Sequence, residues 1–282
     1  MKKGGAFLLE PVVGPVFSRE RFSDEQKQID SMVRDFARDR IFPAKDDLGS
    51  LNEELSRQVM QEVGELGLTA VDIPESHGGL GLDKTTSALV VEALTTGGSA
   101  SLVVTFSCHV GIGTLPLVFF GSEEQKQKYL PKLATAEHLS AYALTEPGAG
   151  SDAQNIQATA ELSEDGESYL LNGEKIYVTN GGWADLFTIF AKLDDKKVST
   201  FLVERDFEGL NVGAEEKKLG IKGNSTVSLF LDNLKVPKEN LLGKPGDGMP
   251  IALNILNIGR FKLGAADLGG CKHAVTLAAE YA

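Results

Sequence analysis

Tyr142-Ala143-Leu144-Thr145-Glu146-Pro147-Gly148-Ala149-Gly150-Ser151-Asp152 is the stretch on which the reading of this chain turns. It opens as a strand and runs into a turn rich in glycine. Lacking side chains, Gly148 and Gly150 let backbone N–H groups and two hydroxyls come close to an anionic ligand. By shape alone, a structural turn explains the segment equally well. Downstream, Asn172-Gly173-Glu174-Lys175-Ile176-Tyr177-Val178-Thr179-Asn180-Gly181-Gly182 reads as a strand between two turn signals. Alternation puts Tyr177 and Thr179 on one face, where a ring and a hydroxyl suit a planar heterocycle; an isolated strand would carry the same pair as an ordinary cross-strand contact.

Upstream the grammar is helical. Ile29, Met32, Val33, Phe36 and Ala37 recur at helical spacing over 24–41, with Ser23 as the N-cap and Pro43 just past the end. A second helix is expected over 52–66, closed by Gly67, and a loop over 73–81. Further helices are expected over 84–94, 99–119 and 122–136; Ser122 caps the last, with Glu123 and Glu124 favouring the positive end of its dipole. His109, in the apolar helix, reads as a packed core residue. After Ser140 short alternating runs at 168–172, 175–179, 186–192, 198–204 and 226–231 signal a β-domain, with Asn172-Gly173 and Asn180-Gly181 as turns. Helical spacing returns at Pro250 and continues to the last residue. Its apolar Val275, Leu277, Ala278 and Ala279 form a face that needs other helices or another chain to cover it.

A chain of 282 residues, 42% hydrophobic and 24% charged, is expected to be multidomain and globular. Its formal net charge of −12 opposes nucleic acid as a partner, since polyanion binders need a basic face. Cys108 and Cys271 offer neither a disulfide framework nor metal-ligand spacing. At the start, Met1 to Glu10 holds only a short apolar piece, Ala6 to Leu9, too brief for a signal peptide or a membrane span. A cytoplasmic protein, or a mature mitochondrial matrix form, is the expectation.

In order and spacing, the two quoted segments resemble the signature segments of the acyl-CoA dehydrogenase family, with the very-long-chain branch as the closest match. The resemblance extends through the leading helices, Tyr129-Leu130-Pro131-Lys132-Leu133, Val236-Pro237-Lys238-Glu239-Asn240 and Asn257-Ile258-Gly259-Arg260. It implies an α+β multidomain fold: an all-α N-terminal domain over 1–139, a β-barrel-like, FAD-binding middle domain over 140–243, and the first part of a C-terminal helical bundle over 244–282. It further implies that Tyr142, Ala143, Leu144 and Thr145 line the flavin of FAD, that Gly150 and Ser151 meet its diphosphate, and that Tyr177, Val178 and Thr179 contact the ring. Tyr177 stands where many members carry tryptophan. Ser151 would also touch the CoA part of a fatty acyl-CoA, and Asn257, Ile258, Gly259 and Arg260 would lie beside the substrate.

The chemistry implied is α,β-dehydrogenation to a trans-2-enoyl-CoA, with electrons passed to an electron-transfer flavoprotein. The family's catalytic glutamate is expected beyond Ala282, and the alternative position for it is Gly259, which cannot act as a base. The resemblance therefore implies a fragment or split subunit that completes itself as a homo-oligomer or with a complementing C-terminal chain. A non-catalytic binding or assembly protein on the same scaffold, and an acyl-CoA oxidase-like flavoenzyme, are the competing readings. Glu146 is expected as a loop anion, Asp267 as a helix-surface residue, and Glu215-Glu216-Lys217-Lys218 as a solvated loop.

Overall fold

The computed structural model describes residues 18–193 and 197–282; the leader reading at Met1–Glu10 lies outside them. Among the described residues, eight α-helices and eight strands follow the order expected from the sequence, helices first, then a sheet, then one long helix. Helix α1 (Asp24–Phe36) starts at a capping box in which Ser23 accepts from the Gln26 N–H and Gln26 returns to the Ser23 N–H. It does not stop before Pro43. A π-turn over Ala37–Ile41 leads directly into α2 (Phe42–Leu48), with Pro43 in its first turn, where a missing N–H costs little. Asn52 caps α3 (Glu53–Glu65), and Gly67 follows it at φ 75°, as a C′ glycine should. Asp83 caps α4 (Lys84–Thr95).

The expected apolar helix is broken into α5 (Ala100–Ser107), a π-turn (Cys108–Gly113) and α6 (Leu115–Phe120), with Pro116 in the first turn of α6. The span Ala100–Phe120 is long and apolar enough to cross a membrane, but most of it is buried inside the fold, which makes it a core element. Within it His109 is fully buried, bonded to the Ser140 hydroxyl at 3.1 Å and the Leu133 carbonyl at 2.9 Å. It is a core histidine, as expected. A second capping box at Ser122 opens α7 (Glu123–Ala134).

The sheet comprises β1 (Ser140–Ala143), β2 (Thr159–Leu162), β3 (Ser168–Thr179), β4 (Leu186–Leu193), β5 (Lys197–Glu204), β6 (Leu210–Glu215), β7 (Thr226–Pro237) and β8 (Leu241–Leu242). Its path is β6-β7-β3-β2-β4-β5-β8, with β1 also on β4. Three details depart from the sequence expectation. Asn172-Gly173 is not a turn: β3 runs straight through it, and the register shift at Leu171/Gly173 marks a bulge with Gly173 at φ 144°. A Cβ there would stand 2.7 Å from that of Ala158, so the backbones are in contact at that point. Strands β2 and β6 escaped notice, the first because it is short and mostly exposed, the second because Gly213 and half-buried positions blur its alternation. Asn180, at φ 64°, does make the expected turn after β3.

Helix α8 (Gly248–Tyr281) lies across both halves, with Ile251, Ala252 and Ile255 in one core with Tyr142 and Phe190. Farther along it packs on α4, where Gly269 allows such close approach that a Cβ would meet the Glu92 carbonyl at 2.4 Å. Its other face carries exposed Leu253, Phe261, Leu263, Leu268, Val275 and Leu277, and Asp267 is exposed on it as expected.

Candidate active site

Strands β1 and β2 both pair in parallel with β4, β1 along Leu186–Ile189 and β2 at Lys192 and Leu193. They occupy successive stretches of one side of β4, so the segment between them must leave the sheet and return. That segment is the glycine-rich loop. Glu146 anchors it. Its carboxylate is buried, accepts from the backbone N–H groups of Gln157 and Ala158, and pairs with Lys175 Nζ of β3 at 2.6 Å. Lys175 is wholly buried and also donates to the Leu144 carbonyl at 3.3 Å, while the Ile176 N–H donates to the Thr145 carbonyl at 2.9 Å. Glu146 is therefore a buried anchor and not the loop anion expected from sequence. Burial lowers the Lys175 ammonium to about 8 against the pull of Glu146.

Beside this anchor lies a cavity of about 360 Å³, lined by Tyr142, Leu144, Thr145, Gly150, Ser151, Ile176, Tyr177 and Thr179, closed by Ile112 of the π-turn and by Leu253, Leu256 and Arg260 of α8. The hydroxyls of Thr145, Ser151, Tyr177 and Thr179 are bonded to no other described residue. Tyr177 is the most telling of them. The register shift between Lys175 and Val178 puts it at φ 57°, a conformation that costs a non-glycine residue about 1–3 kcal/mol, and leaves its side chain 62% exposed. Among the described residues, neither packing nor hydrogen bonding explains that cost. An aromatic ring presented at the rim of a cavity with free hydroxyls around it fits a flat, polar-edged ligand.

A second cavity of about 300 Å³ adjoins the first and shares Ile112, Thr179, Leu256 and Arg260 with it; Val103, Val104, Cys108, Leu263 and Ala266 make it strongly apolar. The Ser107 hydroxyl on its wall is buried without a partner. Burial pushes the Cys108 thiol up to about 12, so it lines the wall as a neutral group. Cys108 also donates weakly to the Thr179 carbonyl at 3.7 Å, and Asn180 donates to the carbonyls of Thr105 and Ser140, which joins the helices to the end of β3.

Not every residue expected at the site reaches a cavity. Ala143 and Val178 alternate inward and pack in the sheet core. Asn257 is exposed and accepts from Arg260 at 2.8 Å, and Ile258 packs toward the core around Tyr142. Gly259 lines the apolar cavity, where a Cβ would approach Ile112 Cγ2 to 2.9 Å. Glu215 and Lys218 are not simply solvated: Glu215 accepts from Ser225 and the Thr226 N–H, and Lys218 donates to Asn224 and Thr226. Sequence reasoning missed Ile112, Ile176, Leu253 and Leu256. An apolar residue in a helix or strand carries no local signal that separates a cavity wall from the core.

Residues 23–137 match the model of the acyl-CoA dehydrogenase N-terminal domain, and residues 141–234 that of the acyl-CoA dehydrogenase middle domain. The chain belongs to the acyl-CoA dehydrogenase family. A probable acyl-CoA dehydrogenase of Bacillus subtilis is 50% identical over all of this chain and 47% of its own length. The very long-chain specific acyl-CoA dehydrogenase of Rattus norvegicus mitochondria is 39% identical over all of this chain and 41% of its own length. Among solved structures, the Bacillus anthracis acyl-CoA dehydrogenase complexed with FAD superposes with a TM-score of 0.94 at 48% identity, covering all of this chain and 48% of that one. This acyl-CoA dehydrogenase family chain thus spans about half the length of those relatives.

Proposed function

We propose that this chain forms the flavin and acyl-CoA cleft of an FAD-dependent acyl-CoA dehydrogenase. The observation that carries the reading is the convergence of Thr145, Ser151, Tyr177 and Thr179, from both signature segments, on one cavity that opens into an apolar one. Bound there, FAD supplies the hydride acceptor for α,β-dehydrogenation of a fatty acyl-CoA thioester. Tyr177 gives the ring a stacking face, Thr145 and Thr179 give hydrogen bonds to its polar edges, and Gly150 and Ser151 leave an open path for its diphosphate. The apolar cavity takes the acyl chain, and Arg260, on the shared wall, sits as a cation at the thioester end.

No carboxylate lines either cavity among the described residues. The base that removes the α-proton is therefore proposed to come from outside this chain, from a C-terminal region or a complementing chain that also covers the exposed face of α8. The same arrangement would pass electrons to an electron-transfer flavoprotein. The lack of a carboxylate equally favours a scaffold that binds flavin or acyl-CoA without turnover.

The test is to purify the complete gene product and follow flavin absorption while a long-chain acyl-CoA is added without oxygen. Bleaching of bound flavin supports the dehydrogenase; flavin that binds and never bleaches over a range of chain lengths supports the non-catalytic scaffold. A protein that retains no flavin refutes both. Fast reoxidation by oxygen after bleaching would point to the oxidase-like variant.

A further inference from the structure

Between α4, α8 and the π-turn at Cys108–Gly113 lies a buried charge cluster that neither the sequence reading nor the cavities account for. Lys262 is buried on α8 between the exposed Phe261 and Leu263, and its side chain is 2% exposed. Its ammonium donates to Asp72 Oδ2 at 2.6 Å and to the Val110 carbonyl at 3.0 Å. Asp72, 3% exposed, also pairs with Lys84 and accepts from the Ser87 hydroxyl at 2.7 Å. The stem of Lys262 passes over Gly111, its Cδ at van der Waals distance from where a Cβ would stand.

A buried charge is expensive unless paired and fully bonded, so a cluster like this one holds its members in a single geometry. Burial favours the neutral form of both groups and lowers the Lys262 ammonium, while Lys262 and Lys84 hold the Asp72 carboxyl below its ordinary range. The Val110 carbonyl belongs to a widened turn, where the helix ladder is shifted by one residue and an outside donor can reach in. That turn carries Ile112 and Cys108 on the cavity walls, and α8 carries Arg260 and Leu263 on either side of Lys262.

We infer that Lys262, held by Asp72, is a positioning residue that pins the π-turn to α8 and so fixes the wall shared by the two cavities, Ile112 against Arg260. As a statement about binding, this rests on the acyl-CoA reading above; as a statement about the turn, it does not. Lys272 provides the control. It ties the same helix to Glu92 at 2.5 Å, far along α8 from the cavities, and lines neither.

Lys262→Met keeps the stem and removes the donor, and Lys272→Met removes the other tie. The first readout is hydrogen exchange of the ligand-free protein. Lys262→Met should speed exchange at least tenfold in a peptide covering 108–116, whereas Lys272→Met leaves that peptide unchanged. The second is long-chain acyl-CoA affinity of the flavin-loaded gene product, which should fall about tenfold in Lys262→Met and stay within twofold in Lys272→Met. Unchanged or evenly spread exchange in Lys262→Met overturns the pin. Altered exchange with parental affinity overturns its role at the cavity wall. A parent that binds no acyl-CoA defeats the functional reading and leaves exchange to judge the pin. If Lys262→Met does not fold, Asp72→Asn with Lys262→Met, which removes both charges, must give the same local exchange, and protection equal to the parent's in that pair refutes the proposal.

Discussion

Replacing Lys175 by methionine tests how the glycine-rich loop is held. The side chain is wholly buried and its ammonium makes a 2.6 Å pair with Glu146, itself 5% exposed. Removing one partner of a buried pair and leaving the other ionised costs about 3–5 kcal/mol. Set against a total stability of about 5–15 kcal/mol, that is a large fraction. For a chain of this size each kcal/mol moves the thermal midpoint by about 2–4 °C, so the expected loss is about 6–20 °C. Glu146 would keep its bonds from Gln157 and Ala158, which holds the loss toward the lower half of that range. The decisive comparison is a double-mutant cycle with Glu146→Gln, read by urea unfolding. Once the carboxylate is neutral, Lys175→Met should cost about 1–3 kcal/mol less than in the parent. Costs that simply add would refute the claim that this pair anchors the loop.

Other expectations follow from single residues. Tyr177→Gly should raise the stability of the ligand-free protein by about 1 kcal/mol, because glycine accepts φ 57° freely, while weakening flavin affinity about 2–10-fold through lost stacking; thermal melts and flavin titration read the two effects separately. His109, lowered to about 4 by burial, stays neutral in the fold while the unfolded chain takes up a proton below about 6.5. Its contribution is therefore intact above that pH and lost as pH falls from 6.5 toward 4, by about 3 kcal/mol in all, and His109→Gln should flatten the stability profile across that window. Gly259→Glu, which puts a carboxylate on the apolar cavity, should cost about 1–3 kcal/mol through the contact with Ile112 and should regain most of it when combined with Ile112→Ala. Gly173→Ala should destabilise by a similar amount, since both its φ and its contact with Ala158 resist a side chain; an unfolding midpoint equal to the parent's would remove the bulge from the account.

Local rules made much of this protein legible without coordinates. Ser23 and Ser122 were legible as caps, because the first N–H groups of a helix need an acceptor within a few residues; Asn52, Asp83 and Ser99 cap their helices in the same way. The two glycine-rich segments pointed to a candidate site for the same reason: backbone approach and turn geometry are properties of neighbouring residues. What sequence could not decide were effects acting across long separations. Asn172-Gly173 has turn chemistry, yet pairing with β7 on one side and contact with Ala158 on the other keep β3 extended through it. Pro43 has stop chemistry, yet the π-turn before it carries the helix on. Glu146 reads as a loop anion, and Lys175, Asp72 and Lys262 carry no signal of burial, because nothing within a few residues pairs them; only the folded chain brings Lys262 to Asp72 across 190 positions and Lys175 to Glu146 across 29. The residue types at the site were set by the sequence, but their placement came from burial and pairing, which depend on partners that local sequence does not specify.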